Sequence, residues 1–316
     1  MSQPPVILVA PVFEDRTAVE CLIDNLAKDC SLKIELFLVD DGSSISPLMK
    51  ETVFRANFPI RIVRLRRNVG HQTAIAVGVH YIHNNCLNYE YIVTLDSDGE
   101  DQPKHIMDLV SELRTKGSDV VVARRKLRSN TVAFKIFHNV YKFLFLVLTG
   151  KRMDFGNFMA FTPRSICRIV TMPEFFCHCA AAVLQSRLDV ARCPLDRGNR
   201  YDGQSKMGFS GLALHGFRSF VVFSEIALTR IATSCAIFGS LVLVCFIAAV
   251  VLKLIGFATP GWFSIVLGIL SLMLIQTATI TLFSLLLVGM TSISNSINVV
   301  RRINLNEIVE EVMTSD

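Results

Sequence analysis

The strongest constraint on the fold is a long stretch near the C-terminus that carries almost no charge. Between residues 231 and 290 the only charged side chain is Lys253. An α-helix needs about 20 apolar residues to cross the roughly 30 Å of hydrocarbon in a bilayer. The stretch therefore predicts two transmembrane helices, about 231–255 and 262–290, joined by a tight hairpin at Pro260. The alternative, a pair of core helices in a soluble protein, is disfavoured by the length of the uncharged runs.

Basic residues around this stretch predict its orientation. Arg218 and Arg230 precede it, Arg301 and Arg302 follow it, and the hairpin offers only Lys253. Cytoplasmic flanks of transmembrane helices are enriched in Lys and Arg. We therefore expect an integral membrane protein, such as one of a bacterial inner membrane, with both termini in the cytoplasm. The N-terminal apolar run is short and has no basic segment ahead of it, which favours a strand over a signal peptide.

Residues 1–207 have the pattern of an α/β domain. Short apolar runs alternate with amphipathic helical patterns, and this order predicts a mostly parallel sheet with helices on both faces. Such sheets bind ligands at the carboxyl ends of their strands. The predicted strands are Val6–Val12, Glu35–Val39, Ile60–Leu65, Tyr91–Leu95 and Asp119–Ala123, and the predicted helices are Arg16–Lys28, His71–His83 and Pro103–Lys116.

Three other segments have apolar residues at helical spacing. Residues 208–230 are predicted to form an amphipathic segment next to the membrane, followed by the spans at 231–290 and a cytoplasmic tail at 291–316. Residues 132–148 fit either a helix at the membrane surface or a buried core helix. Residues 301–312 fit a short helix, either packed on another subunit of a homo-oligomer or free on the membrane surface.

The composition limits which metals and ligands the protein is expected to bind. The nine cysteines show no paired spacing, and Cys177-His178-Cys179 lacks a second pair at zinc spacing, so we expect structural roles for them. The net charge is +5, with basic clusters that lack neighbouring aromatic residues. Stacking aromatics are typical of single-stranded nucleic-acid sites, so anionic lipid or a phosphate ligand explains the clusters better than nucleic acid does.

An acidic cluster follows the predicted fourth strand, in the stretch TLDSDGEDQP at 94–103. Side chains two residues apart on an extended chain point to the same side, which would bring Asp96, Asp98 and Glu100 together. Such carboxylates repel one another unless a cation lies between them. Oxygen ligands suit Mg²⁺ or Mn²⁺, and magnesium fills its other positions with phosphate oxygens and water. The cluster therefore predicts a site for a metal and a diphosphate.

Other interpretations explain the acidic residues less completely. An EF-hand loop fails because glycine and glutamate do not fall at its sixth and twelfth positions. Asp101 fits the N-terminus of the helix predicted from Pro103, which does not explain Asp96 and Asp98. The stretch VDDGS at 39–43 fits simple turn chemistry equally well. Neither a P-loop nor a dinucleotide fingerprint occurs in the sequence.

Together, several motifs resemble family 2 glycosyltransferases, which have the GT-A fold. In chain order they are APVFED (10–15), VDDGS (39–43), RNVGHQTAIAVGV (67–79), TLDSDGEDQP (94–103) and RYDGQSKMGF (200–209). The last motif, followed by two membrane helices, looks like the polyprenyl-phosphate glycosyltransferases, such as dolichol-phosphate mannose synthase. The resemblance extends over nearly the whole chain except its last twenty or so residues.

The resemblance implies a role for each matching position. Asp98 with Glu100 would hold Mg²⁺ or Mn²⁺, and Asp96, Asp98, Arg124 and Asp154 make up the catalytic set. The residues implied at the nucleotide are Pro11, Glu14, Asp40, Asp41, Asn68 and Asp96. The residues implied at the lipid phosphate are Arg124, Arg200, Ser205 and Lys206.

The implied reaction is inverting transfer of one sugar from a UDP- or GDP-sugar to a polyprenyl phosphate. Two alternatives remain: transfer to a diacylglycerol or hopanoid hydroxyl, with Asp154 as the base, or a non-catalytic membrane scaffold. One departure concerns the acid that relatives carry in a G-D-F motif, because this chain has Asn157 there and Asp154 three residues earlier. A processive synthase is disfavoured because Gln185-Ser186-Arg187-Leu188 lacks the Q-x-x-R-W pattern.

Overall fold

The computed structural model describes residues 4–86, 88–125, 132–201, 209–257, 261–300 and 305–314. The chain divides into two compact units. The sheet unit comprises residues 1–142, 151–222 and 301–316. The helical unit comprises residues 143–150 and 223–300.

The sheet unit is built on a sheet of eight strands in the order β7-β5-β6-β4-β1-β2-β3-β8. The strands are Val6–Val12 (β1), Ile34–Asp40 (β2), Ile60–Leu65 (β3), Tyr91–Thr94 (β4), Val120–Arg125 (β5), Met159–Phe161 (β6), Val190–Leu195 (β7) and Val309–Thr314 (β8). Strands β1 to β4 pair in parallel, as does β5 with β7. Strand β6 is antiparallel to β4 and β5, and β8 is antiparallel to β3, so the sheet is mixed.

Helices cover both faces of the sheet, as the sequence predicts. Alternate residues of β1 enter two separate cores: Leu8 packs with helix residues such as Leu22 and Ile106, and Val9 packs with others such as Ile75. The helices of the sheet unit are Arg16–Asp29 (α1), His71–Asn85 (α2), His105–Lys116 (α3), Val132–Thr149 (α4, which continues into the helical unit), Pro163–Ile169 (α5), Glu174–Cys177 (α6), Cys179–Gln185 (α7) and Phe209–Val222 (α8), with a 3₁₀ helix at Lys50–Phe54.

Close packing of α2 on the sheet depends on one glycine. A Cβ at Gly78 would lie 2.7 Å from Val39 and 2.8 Å from Val9, so any larger residue would push the helix away from β1 and β2. This contact fixes the N-terminus of α2, at His71, beside the carboxyl ends of the central strands.

The position of a ligand site follows from the strand order. The order of the parallel strands reverses between β1 and β4, so the connections after these two strands leave in opposite directions. Ligands of open α/β sheets bind in the crevice at such a switch point. The segments that follow β1 and β4, from Phe13 and from Leu95, contain Glu14 and the acidic cluster.

The C-terminal tail does not form the predicted helix. Within the described part of the tail, residues 305–314, Leu305–Ile308 (α11) is helical and β8 pairs with β3, with the backbone N–H of Arg66 donating to the Ile308 carbonyl. Pairing with β3 overrides the helical i, i+3, i+4 spacing of Val309, Val312 and Met313, and it leaves Met313 buried against the sheet. The prediction of a helix over 301–312 is therefore wrong from Val309 onward.

The helical unit contains two long helices, Ser224–Leu254 (α9) and Trp262–Val300 (α10). Among the described residues, two segments are long and apolar enough to cross a membrane, Ser224–Leu254 and Phe263–Val288, and few of their side chains are buried. The predicted pair of apolar helices is confirmed. The first helix begins at Ser224, seven residues before the predicted boundary, because Glu225 and Arg230 are accommodated within its first turns.

Helices α4 and α8 both expose large apolar side chains. Leu214, Phe217 and Val221 of α8 are 55%, 69% and 60% exposed, and Phe143 of α4 is 65% exposed. Phe145 of α4 is buried against Phe223. Helix α4 therefore has both buried and exposed apolar side chains in its described part, and its location at a membrane surface stays a prediction.

Candidate active site

Glu14, which follows β1, organises the loop that follows β2. Its carboxylate accepts hydrogen bonds from the backbone N–H groups of Ser44, Ile45 and Ser46 at 2.6–3.1 Å. The bonds from Ser44 and Ile45 lower the pKa of Glu14. Its backbone has φ +50°, a left-handed conformation that a non-glycine residue adopts at some strain. Glu14 thus shapes the rim of the crevice.

Asp40, the last residue of β2, is fully buried. Its two oxygens accept from the backbone N–H groups of Ser43 and Leu48 at 3.0 and 3.3 Å, and Arg64 lies 3.5 Å away. A carboxylate enclosed in this way holds the loop that follows it. The implied placement of Asp40 at the nucleotide does not agree with this geometry, because no part of the side chain reaches the crevice.

Asp41 ties the end of β2 to the start of α2. Its oxygens accept from the backbone N–H groups of Val69 and Gly70 at 2.7 and 2.9 Å. Burial raises the pKa of Asp41 above its usual value, although these two hydrogen bonds act in the opposite direction. The turn between these segments requires glycine at position 42, since a Cβ there would lie 2.5 Å from the backbone of Arg67.

The acidic cluster lies in a turn and not on an extended strand. Strand β4 ends at Thr94, and Gly99 has φ +90°, so the predicted alternation of side chains does not continue through the cluster. Asp101 is buried, and its carboxylate accepts from the backbone N–H of Asp96 at 2.9 Å. Asp101 therefore closes the turn, and α3 begins only at His105. The expectation that Asp101 starts the helix is wrong.

Arg197 and Arg200 form ion pairs with two other carboxylates of the turn, Asp98 and Glu100. Nη2 of Arg200 lies 2.7 Å from Oδ2 of Asp98, and Nε of Arg200 lies 3.2 Å from Oε1 of Glu100. Arg197 contacts the other oxygen of Glu100. The backbone carbonyls of Asp98 and Glu100 accept from the N–H groups of Tyr201 and Gly198, both at 2.9 Å. The segment 197–201 is thus fastened along the acidic turn.

These residues fit half of a magnesium or manganese site. The carboxylates of Asp96 and Asp98 are 19% and 21% exposed, whereas that of Glu100 is 8% exposed and has a guanidinium at each oxygen. In the described part of the chain, no group of three or more His, Cys, Asp and Glu side chains is arranged to hold a metal ion. A cation at Asp98 would therefore take most of its ligands from phosphate and water, as magnesium does with nucleotides. Glu100 joins it only when the guanidiniums turn away.

His71 lies beside the cluster at the N-terminus of α2. Its Nε2 is 3.1 Å from Oδ1 of Asp96 and 3.0 Å from Nδ2 of Asn157. Partial burial lowers the pKa of His71, but Asp96, together with Asp98 and Asp101, raises it above its usual value overall. Sequence reasoning missed His71 and Arg197. His71 lies within a quoted motif, but its contact with Asn157 joins residues 86 positions apart.

Asp154 and Arg124 form a separate group at the ends of β5 and β7. Nε of Arg192 is 3.2 Å from Oδ1 of Asp154, and Nε of Arg124 is 3.6 Å from Oδ2. Asp154 thus lies between two arginine side chains, and its role as a general base stays a prediction. No contact in the described residues joins this group to Arg200.

The remaining predicted residues have varied environments. Pro11 is buried, and its carbonyl accepts from the Ser97 hydroxyl at 2.9 Å, which links β1 to the acidic turn. Asn68 is exposed in the loop before α2. Ser205 and Lys206, predicted at the lipid phosphate, lie outside the described residues.

The Cys-His-Cys segment has structural contacts. Nδ1 of His178 accepts from the backbone N–H of Ala181 and caps α7. Cys179 is fully buried, and burial strongly raises the pKa of its thiol. These contacts agree with the structural roles predicted from the sequence.

Comparison with known proteins gives the family. Residues 8–181, more than half of the chain, match the profile described as "Glycosyl transferase family 2". The chain belongs to this family. The resemblance drawn from the motifs is confirmed, and so is the expected GT-A-like architecture of a mixed sheet with helices, followed by two apolar helices.

Relatives with described activities carry polyprenyl-phosphate names. The dodecaprenyl-phosphate galacturonate synthase of Rhizobium johnstonii is 30% identical, with 64% of this chain and 62% of the relative aligned. The undecaprenyl-phosphate 4-deoxy-4-formamido-L-arabinose transferase of Yersinia enterocolitica is 31% identical, over 55% of this chain and 52% of the relative. This chain therefore spans less than two thirds of either relative.

Other similarities are broader in coverage. An uncharacterised glycosyltransferase of Synechocystis, sll0501, is 28% identical over 84% of both chains. A crystal structure of a mycobacterial protein superposes with a TM-score of 0.50 at 18% identity, over 72% of this chain and 74% of that chain. The structural likeness concerns the fold alone.

Proposed function

We propose that this protein transfers one sugar from a nucleotide diphosphate sugar to a polyprenyl phosphate at a membrane surface. The observation that carries the proposal is the meeting of Asp98 and Arg200 at the switch point of the sheet. The Asp98 carboxylate suits the cation that accompanies a nucleotide diphosphate. Arg200 is the first residue of the segment 200–206, which contains the residues expected to bind an acceptor phosphate. The polyprenyl-phosphate names of the relatives support the same acceptor.

A phosphate acceptor does not require Asp154 to act as a base. A phosphate monoester has a second pKa of about 6 and is mostly dianionic at neutral pH, so it attacks without a general base. What it needs is cationic residues that bring it against an anionic donor, and Arg200 and Arg124 supply the charge. Direct attack on the anomeric carbon inverts it, so an α-linked donor gives a β-linked product.

For the nucleotide-sugar donor, the chain supplies the loops around the crevice and one or two carboxylates. Glu14 and Asp41 hold the loops around the crevice where the base and ribose would lie, and Asn68 is exposed beside them. Asp96 faces the nucleotide, and Asp98 holds Mg²⁺ or Mn²⁺. When bound, the metal stabilises the negative charge that develops on the leaving diphosphate.

The basic residues around the two apolar helices support the membrane arrangement. Arg218 and Arg230 before these helices, with Arg301 and Arg302 after them, favour a cytoplasmic location of both termini, and the exposed Phe217 and Phe143 would supply apolar contact with the bilayer. A homo-oligomer stays a prediction.

The proposal is tested with purified full-length protein and Mg²⁺ or Mn²⁺. Radiolabelled UDP- and GDP-sugars are offered with undecaprenyl phosphate, and in parallel with diacylglycerol. We expect label only in the lipid phosphate, as a mild-acid-labile product of the mass of one added sugar. Transfer to diacylglycerol alone would favour the hydroxyl-acceptor alternative. Failure of every donor to bind, measured by calorimetry, would favour a scaffold.

A further inference from the structure

A chain of polar groups, buried at Cys179, Gln72 and Asn157 and exposed at His71, leads from α7 to the acidic turn. The backbone N–H of Cys179 donates to Oε1 of Gln72 at 2.7 Å, and Nε2 of Gln72 donates to Oδ1 of Asn157 at 3.0 Å. Nδ2 of Asn157 lies 3.0 Å from Nε2 of His71, which in turn lies 3.1 Å from Asp96. We call the first four residues of this chain the polar relay.

The direction of the relay is fixed at its start. A backbone N–H can only donate, so the Gln72 carbonyl faces Cys179 and the Gln72 amino group faces Asn157. The Asn157 carbonyl must then accept, which turns its amino group toward His71. Flipping either amide would set two donors against each other. The relay therefore requires Nε2 of His71 to be a hydrogen-bond acceptor.

Asp96 makes the opposite demand on the same nitrogen. A carboxylate only accepts, so a hydrogen bond from His71 to Asp96 would require a proton on Nε2. A ring nitrogen carries either a proton or a lone pair, and it satisfies one of the two partners at a time. Gln72 is 1% exposed and Asn157 is 9% exposed, so water cannot readily replace a hydrogen bond that the relay loses.

We propose that Asn157 is a positioning residue whose amide makes the contact between His71 and Asp96 reversible. When Asp96 turns to a ligand, Nε2 of His71 becomes the acceptor for Asn157, and the ring is held in one orientation with its proton on Nδ1. This step rests on the proposed placement of Asp96 at the nucleotide sugar. It also gives a physical reason for an amide at position 157, because a carboxylate there has no N–H to offer His71.

The relay itself can be tested without any ligand. Full-length protein labelled with ¹⁵N-histidine is studied by NMR, and the His71 signals are identified by their loss in His71→Gln. Asp96→Ala removes the competing carboxylate, and we expect an unprotonated Nε2 at neutral pH. Asp96→Ala combined with Asn157→Ala should return the proton to Nε2. The proposal is overturned if the two variants show the same tautomer. Asn157→Leu, which keeps volume without the N–H, replaces Asn157→Ala if that variant does not fold.

A second arm separates the relay from the proposed function. UDP with Mg²⁺, and GDP with Mg²⁺, are added to the wild type as probes, and binding is followed by calorimetry. We expect Nε2 of His71 to change from donor to acceptor on binding, and to remain a donor in Asn157→Ala. Binding without this change in the wild type overturns the reversible contact. If neither probe binds while Asp96→Ala shows the acceptor tautomer, the relay stands and the placement of Asp96 at a nucleotide fails.

Discussion

Two sets of carboxylates lie at the same edge of the sheet but are satisfied differently. Glu14, Asp40 and Asp41 accept mainly from backbone N–H groups of neighbouring loops. Asp98 and Glu100 face the guanidiniums of Arg197 and Arg200, and the backbone N–H that Asp98 accepts at 3.0 Å comes from Glu100 of the same turn. We call these the framework set and the exchangeable set.

The difference indicates which carboxylates are able to meet a ligand. Backbone donors belong to the fold and cannot leave without unfolding a loop. A guanidinium on a flexible side chain can rotate toward a phosphate and leave the carboxylate to a cation. The framework set therefore determines stability, and the exchangeable set determines turnover. The predictions below test this division.

The largest effect is expected for Asp98→Ala. Loss of the metal-binding carboxylate should reduce sugar transfer by about 10²–10³-fold, because a bound metal stabilises the transition state by several kcal/mol. Thermal stability should hardly change, since the carboxylate is partly exposed. Transfer is measured with radiolabelled donor, and unfolding by circular dichroism. A variant that turns over normally would remove Asp98 from the exchangeable set.

Asp41→Ala should act in the opposite way. It leaves the N–H groups of Val69 and Gly70 without their acceptor, so we expect unfolding to become easier by about 2–4 kcal/mol. The melting temperature of the full-length protein measures this effect. Asp29→Ala, at an exposed carboxylate in α1, is the matched control and should change little. Equal melting temperatures for the two variants would contradict a framework role.

Glu14→Gln tests the rim of the crevice. The amide keeps one acceptor oxygen but cannot serve all the N–H groups of the loop 44–46, so the loop should loosen. We expect the KM for nucleotide sugar to rise by up to about tenfold with little change in kcat, the sign of weakened ground-state binding. Steady-state kinetics at saturating lipid gives both constants. A fall in kcat at unchanged KM would place Glu14 in the exchangeable set.

The smallest effects on stability are expected for the two arginines that pair with Asp154, Arg124 and Arg192. Arg124 is 63% exposed and Arg192 is 41% exposed, and exposed ion pairs contribute about 0–1 kcal/mol. Both single alanine variants should therefore melt close to the wild type. Arg124→Ala should raise the KM for lipid phosphate, whereas Arg192→Ala should not. Identical kinetics for the two would deny Arg124 an acceptor role.

The central strands were predictable because their signal is local. Apolar runs bounded by turn residues predict β1 to β5 to within a residue or two. Strand β6 has three residues, too few for a pattern. Strand β8 pairs with β3 across about 250 positions, and no local signal indicates such a partner.

The sequence predicted which residues belong to the candidate site better than it predicted how they are arranged. The motifs identified Asp96 and Asp98, but an assumed extended backbone hid the turn at Gly99. Asp40 was predicted at the nucleotide because it lies in a strand-end motif. The motif does not show that Leu48 and Arg64, which are distant from the strand end, enclose its side chain. The contacts of Arg197 and Asn157 likewise form only when distant segments meet.

Nucleotide binding tests the division of the two sets most directly. Calorimetry on full-length wild type, Asp98→Asn and Glu14→Gln measures UDP and GDP affinity with and without Mg²⁺. We predict that Mg²⁺ strengthens binding of one nucleotide in the wild type and in Glu14→Gln, but not in Asp98→Asn. An equal gain with Mg²⁺ in Asp98→Asn would contradict the account, because the cation would then be held elsewhere.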